Sequence, residues 1–399
     1  MSGVMRGMMG LAVAGSLVAC VVDGGRGEGT GPTVIDVTDD EDSGSEGSDE
    51  TGTETTDAMG DATESDPDTS TGDPTDSGET GGEALECPTL GAWSGSAEFA
   101  TGDDHSHPLP SFAVGDWYYV HTIVGGNRVL LSATPGPDGA LGPWQEASGD
   151  HGGGPHGFTA IAVGDTAFHF RNGHIAEYPL DGQGHMLGDV VLYEDDPNAA
   201  FGGEKFVWDS AVHVAFEGGP RWVLHLGGFS FTPYDYRRAI RRSAVPLGPV
   251  FSEVGVDHPA ARPGKAAVHV PPGASEAVLF TGEAGGSGLW RAFVGMDGSL
   301  SSFESLPELP AGTGNERGDL FVAGRALFAV RGSAVFRAIV AGDGSLGAWE
   351  AMPSLPEDQI DVHWGDGHGE GAAWGRIGDA IYLTGPRTVF HSVLQPGGC

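Results

Sequence analysis

Leu346-Gly347-Ala348-Trp349 closes one repeat of this chain, and the same wording stands at Leu90-Gly91-Ala92-Trp93 and Leu141-Gly142-Pro143-Trp144. Looser copies are Leu187-Gly188-Asp189-Val190, Leu247-Gly248-Pro249-Val250 and Leu300-Ser301-Ser302-Phe303. Their last residues fall at 93, 144, 190, 250, 303 and 349, a spacing of about 46 to 60 residues. An Asp-Gly pair stands six residues before that position in three copies, at Asp138, Asp297 and Asp343. Between the copies run short apolar stretches separated by turns. Phe158 to Val163 is followed by Gly164-Asp165, Ala167 to Phe170 by Asn172-Gly173, and His174 to Leu180 by Asp181-Gly182. Asn-Gly and Asp-Gly suit two-residue hairpins because both central residues need positive φ. Glycine is abundant (69 residues) and no sustained 3.6-residue apolar stripe follows residue 20, so almost no helix is expected. Short strands repeating at this period predict a β-propeller, one four-stranded blade per repeat.

Six anchors match six three-strand segments, which begin near Ser111, Phe158, Val207, Ala266, Asp319 and Ala372. The module therefore opens on a fourth strand, Leu90 to Phe99, and ends on a third, Thr388 to Leu394. The expected fold is all-β: a six-bladed β-propeller over residues 87–399, its N-terminal strand closing the last blade. Closure removes the open edge that would otherwise invite aggregation.

The blade ends resemble kelch repeats. Trp349-Glu350-Ala351-Met352-Pro353-Ser354-Leu355-Pro356 and Phe303-Glu304-Ser305-Leu306-Pro307-Glu308-Leu309-Pro310 carry the aromatic and the Pro-bearing segment of a kelch blade end. Gly125-Gly126 and Gly227-Gly228 are similar to the double glycine that follows a kelch second strand. Thr281-Gly282-Glu283 and Thr384-Gly385-Pro386 keep one glycine. The resemblance implies a propeller and leaves the function open, because kelch propellers do many jobs.

Arg6 precedes an apolar stretch to Ala19, too short to span a bilayer and of signal-peptide length. Leu17-Val18-Ala19-Cys20 resembles the lipobox of bacterial lipoproteins. That resemblance implies a signal peptide over residues 1–19, cleavage before Cys20 and a membrane anchor through acyl chains on it. Val21 and Val22 after the cysteine point in that family to the outer membrane or cell surface. From Asp23 to Glu86 the chain holds 21 Asp or Glu against the single Arg26. Residues 20–86 are expected to be a disordered acidic tether, with a calcium-binding cushion or a glycosylated stalk as alternatives. With Cys20 lipidated, Cys87 and Cys399 remain, at the two ends of the module. An exported protein meets an oxidising compartment, and ring closure brings those ends together, so a disulfide is expected.

The formal net charge is −37, with the module acidic in its own right, which disfavours nucleic acid. One basic cluster, Arg237, Arg238, Arg241 and Arg242, lies beside Tyr234 and Tyr236; it could hold an anion or a sugar, or pair with acids on neighbouring blades. The links between blades are rich in histidine: His105 and His107, His151 and His156, His258, then His363 and His368. In a propeller these links share one face, round the mouth of the central channel. His107, His156, Glu316 and Glu370 lie nine residues before equivalent turn positions, so two imidazoles and two carboxylates could converge on the axis and hold a divalent metal or a polar ligand. Wet, polar loops would carry the same residues without a ligand.

No sequence motif for catalysis is present, neither a Gly-x-Ser-x-Gly elbow nor a phosphate loop. The expected function is a lipid-anchored envelope protein, monomeric, presenting a propeller face to a glycan, protein or small polar ligand. A hydrolase or lyase using the His/Asp-rich face, and a structural role in envelope assembly, are the alternatives.

Overall fold

In a computed structural model the chain is described over residues 86–99, 110–124, 127–148, 159–171, 174–187, 191–192, 206–207, 210–231, 234–247, 251–312, 318–356, 374–385 and 388–399. Residues 1–85, which include the expected signal peptide, Cys20 and most of the expected tether, lie outside these. The described residues form six antiparallel sheets and no helix.

Each sheet is one blade, its strands running outward from the axis in chain order. Blade 1 holds Ser111–Val114, Trp117–Val124, Asn127–Ala133 and Gln145–Ser148. Blade 2 holds Thr159–Val163, Thr166–Arg171, His174–Pro179 and Val191–Leu192. Blade 3 holds Ser210–Ala215, Arg221–Phe231, Tyr234–Ala244 and Ser252–Asp257, with Phe206–Val207 added along its long second strand. Blade 4 holds Pro263–His269, Glu276–Glu283, Leu289–Gly295 and Glu304–Ser305. Blade 5 holds Gly318–Ala323, Ala326–Arg331, Ala334–Ile339 and Glu350–Met352. Blade 6 takes Trp374–Ile377, Ala380–Thr384 and Val389–Gln395 from the C-terminal end, and Thr89–Leu90 with Ser94–Gly95 from the N-terminal end.

The apolar core is divided into six clusters, one in each seam between neighbouring blades. A middle strand therefore buries both of its faces. Tyr118 and Val120 point into the seam with blade 6, while Tyr119 between them points into the seam with blade 2. This is why Ala326–Arg331 reads as a continuous buried run, without the alternation of a strand wet on one side.

The recurring tetrapeptide has a mechanical explanation in these seams. Its leucine bridges back to the end of the third strand, as in Pro135 with Leu141, Val294 with Leu300 and Val340 with Leu346. The Asp-Gly pair between them makes a side-chain-capped turn. Asp138, Asp297 and Asp343 accept the amide hydrogen two residues on at 3.1, 2.9 and 2.9 Å. Gly298 is left-handed (φ 74°), and a Cβ there would lie 2.7 Å from the Trp222 ring of the preceding blade. The tryptophan then ties its blade to the one before: Trp144 donates its indole N–H to the Ala97 carbonyl, and Trp93 donates to Pro353, each acceptor four residues after the preceding blade's tryptophan.

A second tie repeats from blade to blade. A third-strand side chain donates to the turn of the next blade: Ser132 to the Gly184 carbonyl, Arg242 to Asp297 and Arg291 to Asp343. Arg337 continues the series, but its acceptor is the Pro88 carbonyl, at 3.0 Å. Blade 6 has no continuous turn there. The disulfide Cys87–Cys399, with 5.3 Å between its Cα atoms, takes the place of the hairpin.

Two readings of the sequence shift. In blade 2 Met186, not Leu187, bridges Leu180, and Leu187 is 55% exposed. The bridge partners enclose five residues here as in the other blades, so the position six after Leu180 falls on Met186 and Leu187 lies one residue past it; the Asp-Gly pair opens this turn at Asp181 instead of standing at its centre. Gly227-Gly228 lies inside the second strand of blade 3, at a bulge, and a side chain on Gly227 would collide with the Arg237 carbonyl. Gly125-Gly126 lies outside the described residues.

Reduction of Cys87–Cys399 should lower the free energy of unfolding by several kcal/mol; loop entropy for a crosslink of this span gives roughly 5 kcal/mol. Guanidinium unfolding with and without reductant measures this, and coincident midpoints would contradict it.

Candidate functional site

The second strands end, and the first strands begin, at one end of the ring. Beneath that end lies a belt of buried polar side chains. Second strands contribute His121, His169, His225, Thr281, Arg331 and Thr384; first strands contribute Ser111, Thr159, Ser210, Lys265 and Asp319. The sequence places them there because each second strand finishes, and each first strand starts, at this face. The opposite end of the first strands is apolar, with Val114, Val163 and Val214 buried.

Much of the belt joins blades. The Tyr118, Ser111 and Thr384 hydroxyls form a closed triangle at 2.8 to 2.9 Å across the seam of blades 1 and 6. His121 and His169, on adjacent blades, hold their rings 3.9 Å apart, with Tyr178 at 4.6 Å from His169. These two histidines carry no motif in the sequence; each is a polar interruption in an apolar second strand, and that interruption is the available signal.

Of the histidine-rich links, only His258 falls among the described residues. It is fully buried. Its Nδ1 accepts the Ala260 amide at 3.1 Å, so the neutral ring carries its proton on Nε2, 2.9 Å from the Thr281 hydroxyl. Trp290 and Phe303 pack against it at 5.6 and 5.5 Å. His258 thus fastens the link into blade 4 instead of lining the channel mouth. His105, His107, His151, His156, Glu316, His363, His368 and Glu370 lie outside the described residues.

The arginine cluster is engaged within the fold. Arg241 pairs with Glu253 at 3.2 Å, Arg242 lies over Trp222 as well as reaching blade 4, and Arg238 donates to the His258 carbonyl at 2.5 Å. Among the described residues the one cluster with metal-ligand proximity is Glu86, Cys87 and Cys399, whose sulfurs are bonded to each other.

A cavity of about 300 Å³ occupies the centre of the ring, lined by the first strands of all six blades. One residue of each first strand takes an equivalent place on its wall: Ala113, Ala162, His213, Val268, Val322 and Arg376. In blades 1, 2, 5 and 6 that residue stands two before the turn glycine, a spacing visible in the sequence. The wall is apolar except for one imidazole and one guanidinium. No carboxylate, hydroxyl or thiol is among the described residues lining it.

No protein-family model matches this chain. No curated protein matches it either. Among solved structures it is similar to the WD40 domain of Toxoplasma gondii coronin, at 9% identity over 79% of this chain and 90% of that one, with a TM-score of 0.41. It is also similar to the PQQ-bound aldose sugar dehydrogenase of Streptomyces coelicolor, at 11% identity over 78% and 100% of the two chains, with a TM-score of 0.46. A Trichoderma reesei carbohydrate-active enzyme of family AA12 matches at 10% identity over 78% and 98%, with a TM-score of 0.48. These likenesses carry no argument about activity.

Burial pushes the His258 imidazole down to about 4. In the unfolded chain it titrates near 6.5, so between those values the unfolded state binds a proton that the folded state does not. The stabilisation is complete above about pH 6.5 and drains away as the pH falls towards 4, by at most about 3 kcal/mol. His258→Gln should therefore flatten the pH dependence of the urea midpoint across that window relative to the parent chain. Parallel pH profiles for the two proteins would refute this account of the ring.

Proposed function

We propose that this chain is an exported, lipid-anchored protein of the bacterial cell envelope whose propeller binds its ligand without transforming it. In this reading residues 1–19 are a signal peptide, Cys20 carries the lipid, residues 20–86 form an acidic tether, and residues 87–399 present the binding face. The ligand is a glycan, a protein or a small polar molecule.

The observation that carries the binding reading is the composition of the channel wall. A hydrolase or lyase needs an acid, a base or a nucleophile open to substrate, with its proton affinity set for the task. The described wall offers one imidazole that could exchange a proton, with the guanidinium on the opposite side of an apolar tube and no carboxylate, hydroxyl or thiol beside the imidazole to orient it or to serve as a nucleophile. The buried hydroxyls of the Tyr118 triangle and the His258 ring are committed to hydrogen bonds that join blades and links. Such groups stiffen a recognition surface; they do not move protons to a substrate. The pairing of Cys87 with Cys399 also accords with export to an oxidising compartment.

Two measurements test the reading. A purified chain screened against envelope glycans and proteins should retain one ligand class saturably and return it intact by mass spectrometry; a cleaved ligand would overturn the binding reading in favour of catalysis. For the anchor, Cys20→Ala should abolish incorporation of an alkyne fatty acid and move the protein from the membrane pellet to the soluble fraction. Labelling that survives the substitution would show that Cys20 is not the lipidated residue.

A further inference from the structure

Polar side chains enter the channel wall at the equivalent place in only two of the six blades, His213 in blade 3 and Arg376 in blade 6. In a ring of six, blades 3 and 6 are opposite one another. Ala113 and Ala162 lie between them on one side and Val268 and Val322 on the other. We propose that the channel holds a small organic carboxylate across this axis, its charge on Arg376, its apolar body between the alanines and valines, and its far end at His213. The proposal deepens the binding reading above and rests on it.

The arginine is placed for the task. Its Nε donates to the Gly378 carbonyl at 2.7 Å, which fixes the guanidinium plane at the strand end. The nearest carboxylate, Asp379, stands 3.7 Å from Nη2 and is itself 56% exposed, an ion pair too long for a direct hydrogen bond. A guanidinium has five N–H donors in a rigid fork that matches a carboxylate. One is committed to Gly378, and the two Nη atoms make no hydrogen bond among the described residues. The described cavity wall supplies no counter-charge, although the protein as a whole is strongly acidic. The Arg376 side chain is 36% exposed, so an anion entering the channel meets this cation at the solvent-open end of an otherwise apolar wall.

Size narrows the class further. A cavity of about 300 Å³ is at the small end of ligand pockets, suited to a molecule of roughly ten non-hydrogen atoms and not to an oligosaccharide or a peptide. The four flanking side chains are methyl- and isopropyl-bearing, so the body between the polar ends is apolar. Trp374 lines the same cavity and adds an aromatic surface beside the arginine.

Benzoate and benzyl alcohol are probes of the same shape that differ in charge. Titration calorimetry of the purified full-length chain at low salt should give one benzoate site with a Kd on the order of 10⁻⁴ to 10⁻³ M, and benzyl alcohol binding at least about tenfold more weakly. Arg376→Met should weaken benzoate about tenfold or more, and His213→Leu about threefold, with Arg221→Met unchanged as a control outside the channel. Benzoate that fails to bind at about 20 mM would overturn the proposal. Equal affinities for benzoate and benzyl alcohol would do the same, and that comparison needs no variant to fold. Benzoate binding that survives Arg376→Met in a folded protein would also overturn it. A chain that ignores benzoate but retains an envelope glycan or protein intact loses only this site, whereas a chain that cleaves its ligand loses the binding reading itself.

Discussion

Each blade of the ring is stable only between two neighbours, because its middle strands bury both faces, and one of the six blades has to be built from the two ends of the chain. Thr89 pairs with Gln395 and Ser94 with His391, so the fourth strand of blade 6 arrives from the opposite end of the sequence. Leu90 and Trp93 then complete the cluster shared with blade 5, and Phe99 completes the one shared with blade 1. Without this strand two apolar seams would face water along a sheet edge. The disulfide stands where every other described blade has a hairpin turn or its link, and Arg337 reaches it as Arg242 and Arg291 reach the turns of their neighbours. A covalent bond thus takes the structural place of a turn, and the interblade tie is the same.

Most of this architecture is legible in the residues. The leucine, the Asp-Gly turn and the tryptophan recur because each answers a repeated demand: a bridge to the third strand, a left-handed glycine under the preceding blade, and an indole N–H for that blade's carbonyl. The exceptions have physical reasons. Leu187 imitates the motif, but the constant six-residue spacing from the end of the third strand puts Met186 in its place. Gly227 resembles a loop glycine yet sits at a bulge where the blade 3 hairpin lengthens.

The candidate site is less legible, because it depends on which residues share a height in the ring. His213 and Arg376 are unremarkable in their own segments, Ser-Ala-Val-His-Val-Ala and Trp-Gly-Arg-Ile, and become a pair only when six first strands are superposed. His258 shows the converse. Its position in a polar link suggests an exposed ligand, but the aromatic rings of Trp290 and Phe303 and the Thr281 hydroxyl enclose it. A histidine in a polar link carries no sign in the sequence of how deeply the fold will bury it, whereas a polar residue in an apolar strand has to be supported by the fold around it.

Ring closure by the N-terminal strand is the claim on which the seams, the disulfide and the channel all depend. Hydrogen exchange measured by mass spectrometry on the oxidised protein reads it directly, comparing peptides covering Thr89–Gly95 with those covering Val389–Gln395. The closed ring predicts that the Leu90 to Ser96 amides are protected to a degree comparable with the fourth strands of blades 3 and 4, and that reduction of Cys87–Cys399 lowers protection in both ends of blade 6 together. Free exchange across residues 89–95 while Val389–Gln395 stays protected would show a blade of three strands and an open ring.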